Sequence, residues 1–389
     1  MILGIDASNI VSGGGITHLT ELLQAANPAD HGFTKVVVWG GHSILDSIGD
    51  APWLMKLHHP WLDSYSCLRL AWQRLRLSAL AAGVGCDILF VPGGAYVGAF
   101  RPFVAMSQNL LPVEWLEARR YGWTRQLARL RLLRWVQSLT FRRADGCIFL
   151  TQYARSVVMR ELEIDHGRTI IVPHGVEKRF TSAPREQLPI DCYDHDRPFR
   201  ILYVSIIDVY KHQGQVARAV VELRRTGLPV VLDLVGPAYS PALARLQRVL
   251  REVDPAGACV RYWGAVPHGE LQKRYAEAEL CVFASTCENM PNILLENMAS
   301  GLPIACSNRG PMPEVLGDAG LYFDPEDAVS IRDALTRLIE SHDLRARLAQ
   351  AAFQRAQVYS WQRCAAETFG FLAEVTQAAA RRPRSTVGA

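Results

Sequence analysis

The stretch from 285 to 303, STCENMPNILLENMASGLP, constrains the fold of this chain more than any other. The apolar run at 280–284 has the length of a buried strand, and Leu302-Pro303-Ile304-Ala305-Cys306 begins another. A helix is predicted between them. Asn289 suits its N-cap, and Pro291 its first turn, where a missing N–H costs nothing. Gly301 suits the position just past its end, where φ turns positive. Strand, loop, helix and strand in that order form the unit of an α/β sheet, whose helix N-termini face a ligand crevice.

Glu288 falls in the loop and Glu296 near the second turn of that helix. Free amides and the positive end of the helix dipole there suit a phosphate. A carboxylate beside them is a poor partner for phosphate and a good acceptor for sugar hydroxyls. Glu296 is therefore read as a ribose acceptor and Glu288 as facing a second sugar. The ligand that combines phosphates, ribose and another sugar is a nucleotide-sugar.

Glu288, Glu296 and the run Ala299-Ser300-Gly301-Leu302-Pro303 resemble the E-x7-E signature of retaining glycosyltransferases of family 4. The runs NRGPMPEV at 308–315 and GLYFDP at 320–325 are similar to that family as well. The resemblance is specific across 285–325 and extends loosely over residues 1–375. It implies an α/β GT-B fold, two Rossmann-like doubly wound domains facing across a cleft, with a C-terminal helix crossing back to the N-terminal domain. The expected domains are 1–185 on the acceptor side and 198–360 on the donor side, with a crossover helix at 361–380. The polar segment 181–198 is the expected linker. A length of 389 residues suits two domains, and 49% apolar with 21% charged residues is ordinary globular composition.

The resemblance assigns roles residue by residue. Lys211, after a predicted strand at 199–205, matches a lysine that reaches the donor pyrophosphate, and it is the second catalytic candidate beside Glu288. It is one of only five lysines, which favours a specific task. The arginine that accompanies it in the family is replaced here by Ile206; helix amides or Arg309 are the candidate substitutes. Asn289, Met290, Asn292 and Ile293 at the helix start, with Val266 against the base, complete the donor side. Gly14 and Gly15, in a glycine loop after the first predicted strand (2–6), would approach the donor phosphates or the acceptor. Gln108 and Asn109 stand where many members have a histidine. Neither side chain exchanges a proton near neutral pH, so no general base is expected there. His174 occupies the asparagine position of a P-N-G-V turn. All three are acceptor-side candidates.

The mechanism implied is transfer with retention. The leaving phosphate takes the acceptor proton on the same face, since no second carboxylate suits a double displacement. No cofactor is expected, and no metal, because no acidic D-x-D cluster stands out in the cleft loops. The implied partners are a nucleotide-sugar donor, GDP-mannose first and a UDP-sugar second, and a saccharide or polyprenyl-pyrophosphate-linked acceptor. The implied setting is bacterial surface polysaccharide or O-antigen synthesis. A non-catalytic nucleotide-sugar-binding or assembly protein on the same fold is the alternative. A sugar-nucleotide epimerase fits the family less well, and an NAD oxidoreductase lacks its G-x-G-x-x-G fingerprint.

Residues 1–190 hold 20 lysines and arginines against 15 acids, and the rest of the chain 22 against 23. Eight arginines and no acid fall within 119–143, among Trp123, Leu127, Leu130, Leu133, Trp135 and Leu139. A basic helix docked on an anionic membrane explains this segment, and so does a partly buried helix with snorkelling arginines. Nucleic acid is not an expected partner. Nine cysteines without a C-x-x-C pair suit a reducing compartment. No signal peptide or spanning segment is read, so the expected location is cytoplasmic, either free or peripheral on the inner membrane face.

Overall fold

The computed structural model describes residues 1–11, 13–164 and 167–381. Ser12 of the glycine loop lies outside the described residues, and so does all but Arg381 of the Arg-rich tail 381–386, which the sequence leads one to expect disordered. The chain divides into two compact units. The first is Met1–Ala118, Gly122–Gly175 and Ser360–Ala389; the second is Arg119–Tyr121 and Val176–Tyr359.

The first unit is built on seven parallel strands: β1 (Ile2–Asp6), β2 (Lys35–Gly40), β3 (Leu54–His58), β4 (Ile88–Val91), β5 (Phe103–Met106), β6 (Gly146–Phe149) and β7 (Thr169–Ile171). Their spatial order is β3-β2-β1-β4-β5-β6-β7. Leu3, Ile5, Val36, Val37, Leu89, Phe103 and Val104 are fully buried. Helices on both faces of a parallel sheet bury its strands, which is why these strands read as continuous apolar runs. The order reverses between β1 and β4, so the loops leaving those two strands part from each other. The side-chain amide of Gln73 fastens them, donating to Asp6 Oδ2 (2.6 Å), Ser8 Oγ (3.0 Å) and the Ala95 carbonyl (3.0 Å).

The C-terminal helix Trp361–Ala380 belongs to this unit and packs on the helix Gly14–Ala25 and on β4. Gly146 permits its approach to β6: a Cβ there would lie 2.9 Å from the Phe371 ring and from Val375.

The second unit has six parallel strands: β8 (Phe199–Val204), β9 (Val230–Val235), β10 (Val260–Tyr262), β11 (Leu280–Phe283), β12 (Ile304–Ser307) and β13 (Leu321–Phe323), ordered β10-β9-β8-β11-β12-β13. Its reversal falls between β8 and β11, where Leu280 pairs with Ile201 and Cys281 with Leu202. The segment 181–198 is held against this unit. The Ser182 amide donates to the Ala299 carbonyl (2.9 Å), and the buried Arg345 donates to Gln187 Oε1 (3.1 Å). Arg345 also caps Leu338 and Ile339 at the end of the helix Ala328–Glu340.

Several local expectations are corrected. The N-cap of the helix Asn292–Ala299 is Pro291, with no side-chain cap, so Asn289 sits outside that role. Gly301 does take a positive φ, +68°. Gly14 and Gly15 open their helix instead of preceding it, and Gly13 is the N-cap at φ +66°. The basic segment 119–143 is not one helix. Gly122 turns at φ +65°, Thr124 caps, and the helix runs Arg125–Arg143.

The seat of the C-terminal helix is tight. A Cβ on Gly175 would collide with the backbone of Ser360 and Trp361. Gly175→Ala is expected to destabilise the first unit by about 1–3 kcal/mol, the range for overpacking. Gly83→Ala, in a helix with open space around it, should be neutral or stabilising by up to about 1 kcal/mol. Urea unfolding of both variants checks this pair.

Candidate functional site

In the second unit, the loops leaving β8 and β11 emerge side by side at the reversal of strand order, the place where open α/β sheets bind ligands. They are stitched together. The Thr286 amide donates to the Tyr210 carbonyl (2.9 Å), and His212 Nε2 lies 3.2 Å from Thr286 Oγ1. The Tyr203 hydroxyl donates to the Lys211 carbonyl (2.6 Å) and accepts from the Ala284 amide (3.2 Å). His212 adopts a left-handed backbone, φ +51°, uncommon for a residue with a side chain.

Lys211 is only 6% exposed. Its ammonium pairs with Glu288 and lies 5.0 Å from the Tyr210 ring centroid and 5.4 Å from that of Phe283. A lysine so enclosed is not a solvated loop residue. The carboxylate and two ring faces replace the water it has lost. An ammonium has three donors, and Glu288 occupies one.

Glu296 sits in the second turn of the helix Asn292–Ala299. Burial, reinforced by the nearby Glu177 and opposed by Arg179, raises its pKa from 4.5 to about 8. Its Oε2 is buried and has no hydrogen-bond partner among the described residues, while the residue as a whole keeps a partial opening to solvent. Asn289 and Met290 are buried beside Glu288, whereas Asn292 and Ile293 are half-exposed in the first helical turn. The amides of Ile293 and Leu294 precede any carbonyl the helix itself could offer. Val266 is half-buried in the loop after β10, at the sheet edge. Ile206 is 38% exposed, and Arg309 is committed to Asp324 at 2.7 Å. A cavity of about 260 Å³ lies toward the other end of the same helix, at Arg179, Tyr275 and Gly301; none of the candidate catalytic, donor or acceptor residues lines it.

In the first unit the structure joins Gly15, Gln108 and His174 through a residue the sequence reading missed, His18. A Cβ on Gly15 would lie 3.5 Å from Gln108 Oε1. Gln108 Nε2 donates to His18 Nδ1 (2.9 Å), and the His18 ring centroid lies 4.7 Å from that of His174, which stacks on Trp361. His18 is fully buried. Burial and the neighbouring His174 hold its pKa well below 6.5, so it is neutral. Accepting at Nδ1 places its proton on Nε2, which is buried without a partner among the described residues. Helical spacing was the available signal: His18 follows Gly15 by three positions. Asn109 is not drawn in; its Oδ1 accepts from the Leu111 amide (3.0 Å), closing a turn.

Residues 198–341 match the family of glycosyl transferases group 1. That match covers β8 to β13 and so includes Lys211, Glu288 and Glu296. The chain is 35% identical over 109 residues to the O-antigen chain mannosyltransferase B of Escherichia coli, which is 28% of this chain and 29% of that protein's length. Sucrose-phosphate synthase of Thermosynechococcus elongatus superposes with a TM-score of 0.76 at 19% identity, over 97% of this chain and 100% of that one. The Anabaena protein Alr3699/HepE, in complex with UDP and glucose, superposes with a TM-score of 0.67 at 15% identity, over 98% and 99%. The fold is GT-B, as the sequence resemblance implied.

The raised pKa of Glu296 has a signed consequence. The folded chain holds a proton that the unfolded chain releases near 4.5. This contribution to stability is complete below pH 4.5 and is lost as pH rises toward about 8. Glu296→Gln cannot ionise. Its loss of melting temperature between about pH 5 and about pH 9 should be smaller than that of the parent chain. Equal losses in both proteins would show that Glu296 does not hold its proton in the fold.

Proposed function

We propose that this chain is a retaining glycosyltransferase. It moves a sugar from a nucleoside-diphosphate donor, GDP-mannose first and a UDP-sugar second, to a saccharide or polyprenyl-pyrophosphate-linked acceptor in surface polysaccharide assembly. The observation that carries the reading is the enclosed Lys211–Glu288 pair at the strand-order reversal of the second unit. Its setting within the group 1 match supports it, and the mannosyltransferase relative favours mannose.

The donor diphosphate would lie on the first turn of the helix Asn292–Ala299, near Lys211. Breaking the bond between the anomeric carbon and the phosphate oxygen leaves positive charge on carbon and negative charge on oxygen. Lys211 and the free amides stabilise the oxygen. Glu288 faces the transferred sugar and favours the cationic carbon. The acceptor hydroxyl attacks from the face the phosphate leaves and gives its proton to that phosphate. Glu296 binds the ribose, whose hydroxyl meets the unpartnered Oε2. Lys211 takes the charge-neutralising role without a divalent ion.

The test begins with binding. Thermal unfolding with GDP, UDP, ADP and dTDP should show one nucleotide that raises the melting temperature by several degrees at about 100 times its Kd. The rise should be lost in Glu296→Ala. Turnover of the matching sugar donor should then fall by about 10²–10³ in Lys211→Met and in Glu288→Ala. Binding without any donor cleavage would favour the non-catalytic alternative. No nucleotide response would overturn the proposal.

The first unit supports a peripheral membrane position. No described helix is long and apolar enough to cross a membrane. The helix Arg125–Arg143 buries Leu127, Leu130, Val136 and Phe141 but leaves Leu132 and Trp135 55% and 63% exposed beside the exposed Arg125, Arg129 and Arg131. Trp123 is 93% exposed, with the Arg131 guanidinium 5.7 Å from its ring. Arg134 and Arg142 snorkel instead, donating to the Val113 and Leu162 carbonyls. The exposed set is proposed to rest on anionic lipid. Co-sedimentation with anionic liposomes should weaken with salt and drop in a Trp123→Ser/Trp135→Ser variant. Absence of binding at low salt would remove this docking.

A further inference from the structure

At the edge of the first unit's sheet, three residues from separate segments converge. Residue His42 opens the short helix His42–Leu45 after β2, His58 ends β3, and Asp63 closes the turn Pro60–Asp63. The parallel register sets His58 opposite Gly40, two positions before His42. Both imidazoles present Nε2 to the same carboxylate oxygen: Asp63 Oδ2 is 2.6 Å from His58 and 4.0 Å from His42. The two rings stack at 4.0 Å. The three ligand atoms lie within 4.8 Å of one another, and among the described residues no other His, Cys, Asp and Glu group is so arranged.

The carboxylate is held from behind. Asp63 Oδ1 accepts from the His42 amide (2.8 Å), and a Cβ on Gly41 would lie 2.5 Å from that oxygen. Glycine at 41 is what admits the aspartate. The adjacent His59 is excluded, since its Nδ1 accepts from the Trp61 amide (3.2 Å). Lys56 is paired with Asp50 at 2.6 Å, not with Asp63.

From this geometry we infer a site for a divalent first-row transition ion, held by His42 Nε2, His58 Nε2 and Asp63 Oδ2. Two neutral imidazoles and a carboxylate are a nitrogen and oxygen set suited to Zn²⁺ and unsuited to Mg²⁺ or Ca²⁺. An ion at about 2.0–2.2 Å from each ligand would take the place of the proton now shared by His58 and Asp63. Drawing His42 inward requires motion of a side chain that is 67% exposed, and the same exposure leaves a coordination position for water. The ion would clip the edge strand β3 to the helix after β2. The inference concerns unit 1 alone and does not depend on the proposed transfer reaction.

Equilibrium dialysis of the full chain against Zn²⁺ tests it. One equivalent should bind, Mg²⁺ should not compete, and affinity should fall roughly tenfold or more in His42→Gln and in Asp63→Asn. The asparagine variant keeps the Oδ1 acceptor for the His42 amide, so its fold should persist; circular dichroism checks this. Co²⁺ should give weak visible bands without thiolate charge transfer. Unchanged affinity in both variants, a thiolate band from the exposed Cys67 or Cys192, or no saturable binding up to about 1 mM Zn²⁺ would each overturn the site.

Discussion

The parallel pairing of β8 with β11 is the constraint from which the candidate donor chemistry follows. Because the strands run the same way, their loops leave the sheet at the same edge, and Lys211 meets Glu288 across 77 residues of sequence. Enclosing an ammonium costs several kcal/mol unless a partner is fixed in place. Here the partner is fixed by backbone bonds, not by the side chains alone. Tyr203 rises from β8, donates to the Lys211 carbonyl and accepts from the Ala284 amide, so one phenol binds both loops to the sheet. Charge at this site is therefore a property of the fold. Loosening the sheet register would expose the lysine to water and, in the proposed reaction, weaken its hold on the leaving phosphate.

The first unit uses the same topological device with neutral groups in place of an ion pair. Its reversal lies between β1 and β4, and Gln73 ties the loops there as Tyr203 does in the second unit. The residues gathered beside the glycine-opened helix are the amide of Gln108, the neutral His18 and the stacked His174. These groups are neutral donors and acceptors, whereas in the second unit the enclosed Lys211 ammonium is charged and paired with Glu288.

Most strands were legible because buried parallel strands are unbroken apolar runs, as at 35–40, 88–91 and 230–235. Two were not. β3 carries Lys56 and His58 at the sheet edge with only partial burial, and β13 is a short edge strand with Leu321 and Tyr322 only half-buried. The helix at 292–299 was legible, but its cap was not. Asn289 is an ordinary capping residue by type, yet the N-cap falls two positions later, at a proline that has no side-chain cap to give, and the helix starts at Asn292. The Arg-rich segment read as one helix because its composition is uniform; Gly122 and Thr124 interrupt it. Glu288, Glu296 and Lys211 were visible by motif. The enclosure of Lys211 was not, since Tyr210, Phe283 and Glu288 come together only through the sheet. The same holds for the trio His42, His58 and Asp63, where spacing in sequence carries no signal of contact; for His18 the helical spacing from Gly15 was the one signal.

Two buried polar atoms mark where each unit sets stability aside. Glu296 Oε2 and His18 Nε2 have no partners among the described residues, and an unsatisfied buried group costs about 1–3 kcal/mol. Both belong to side chains whose burial also favours the neutral form. A neutral carboxyl and a neutral imidazole each need only one hydrogen bond to close the deficit, and a sugar hydroxyl can donate or accept as required. In the proposed reaction, a sugar hydroxyl bound at either atom would return to the fold what the unpartnered atom had cost. In the second unit that gain would add to the electrostatic hold of Lys211 on phosphate. Recognition of ribose and activation of the leaving group would then rest on different physical terms: one on desolvation and hydrogen bonding, the other on charge.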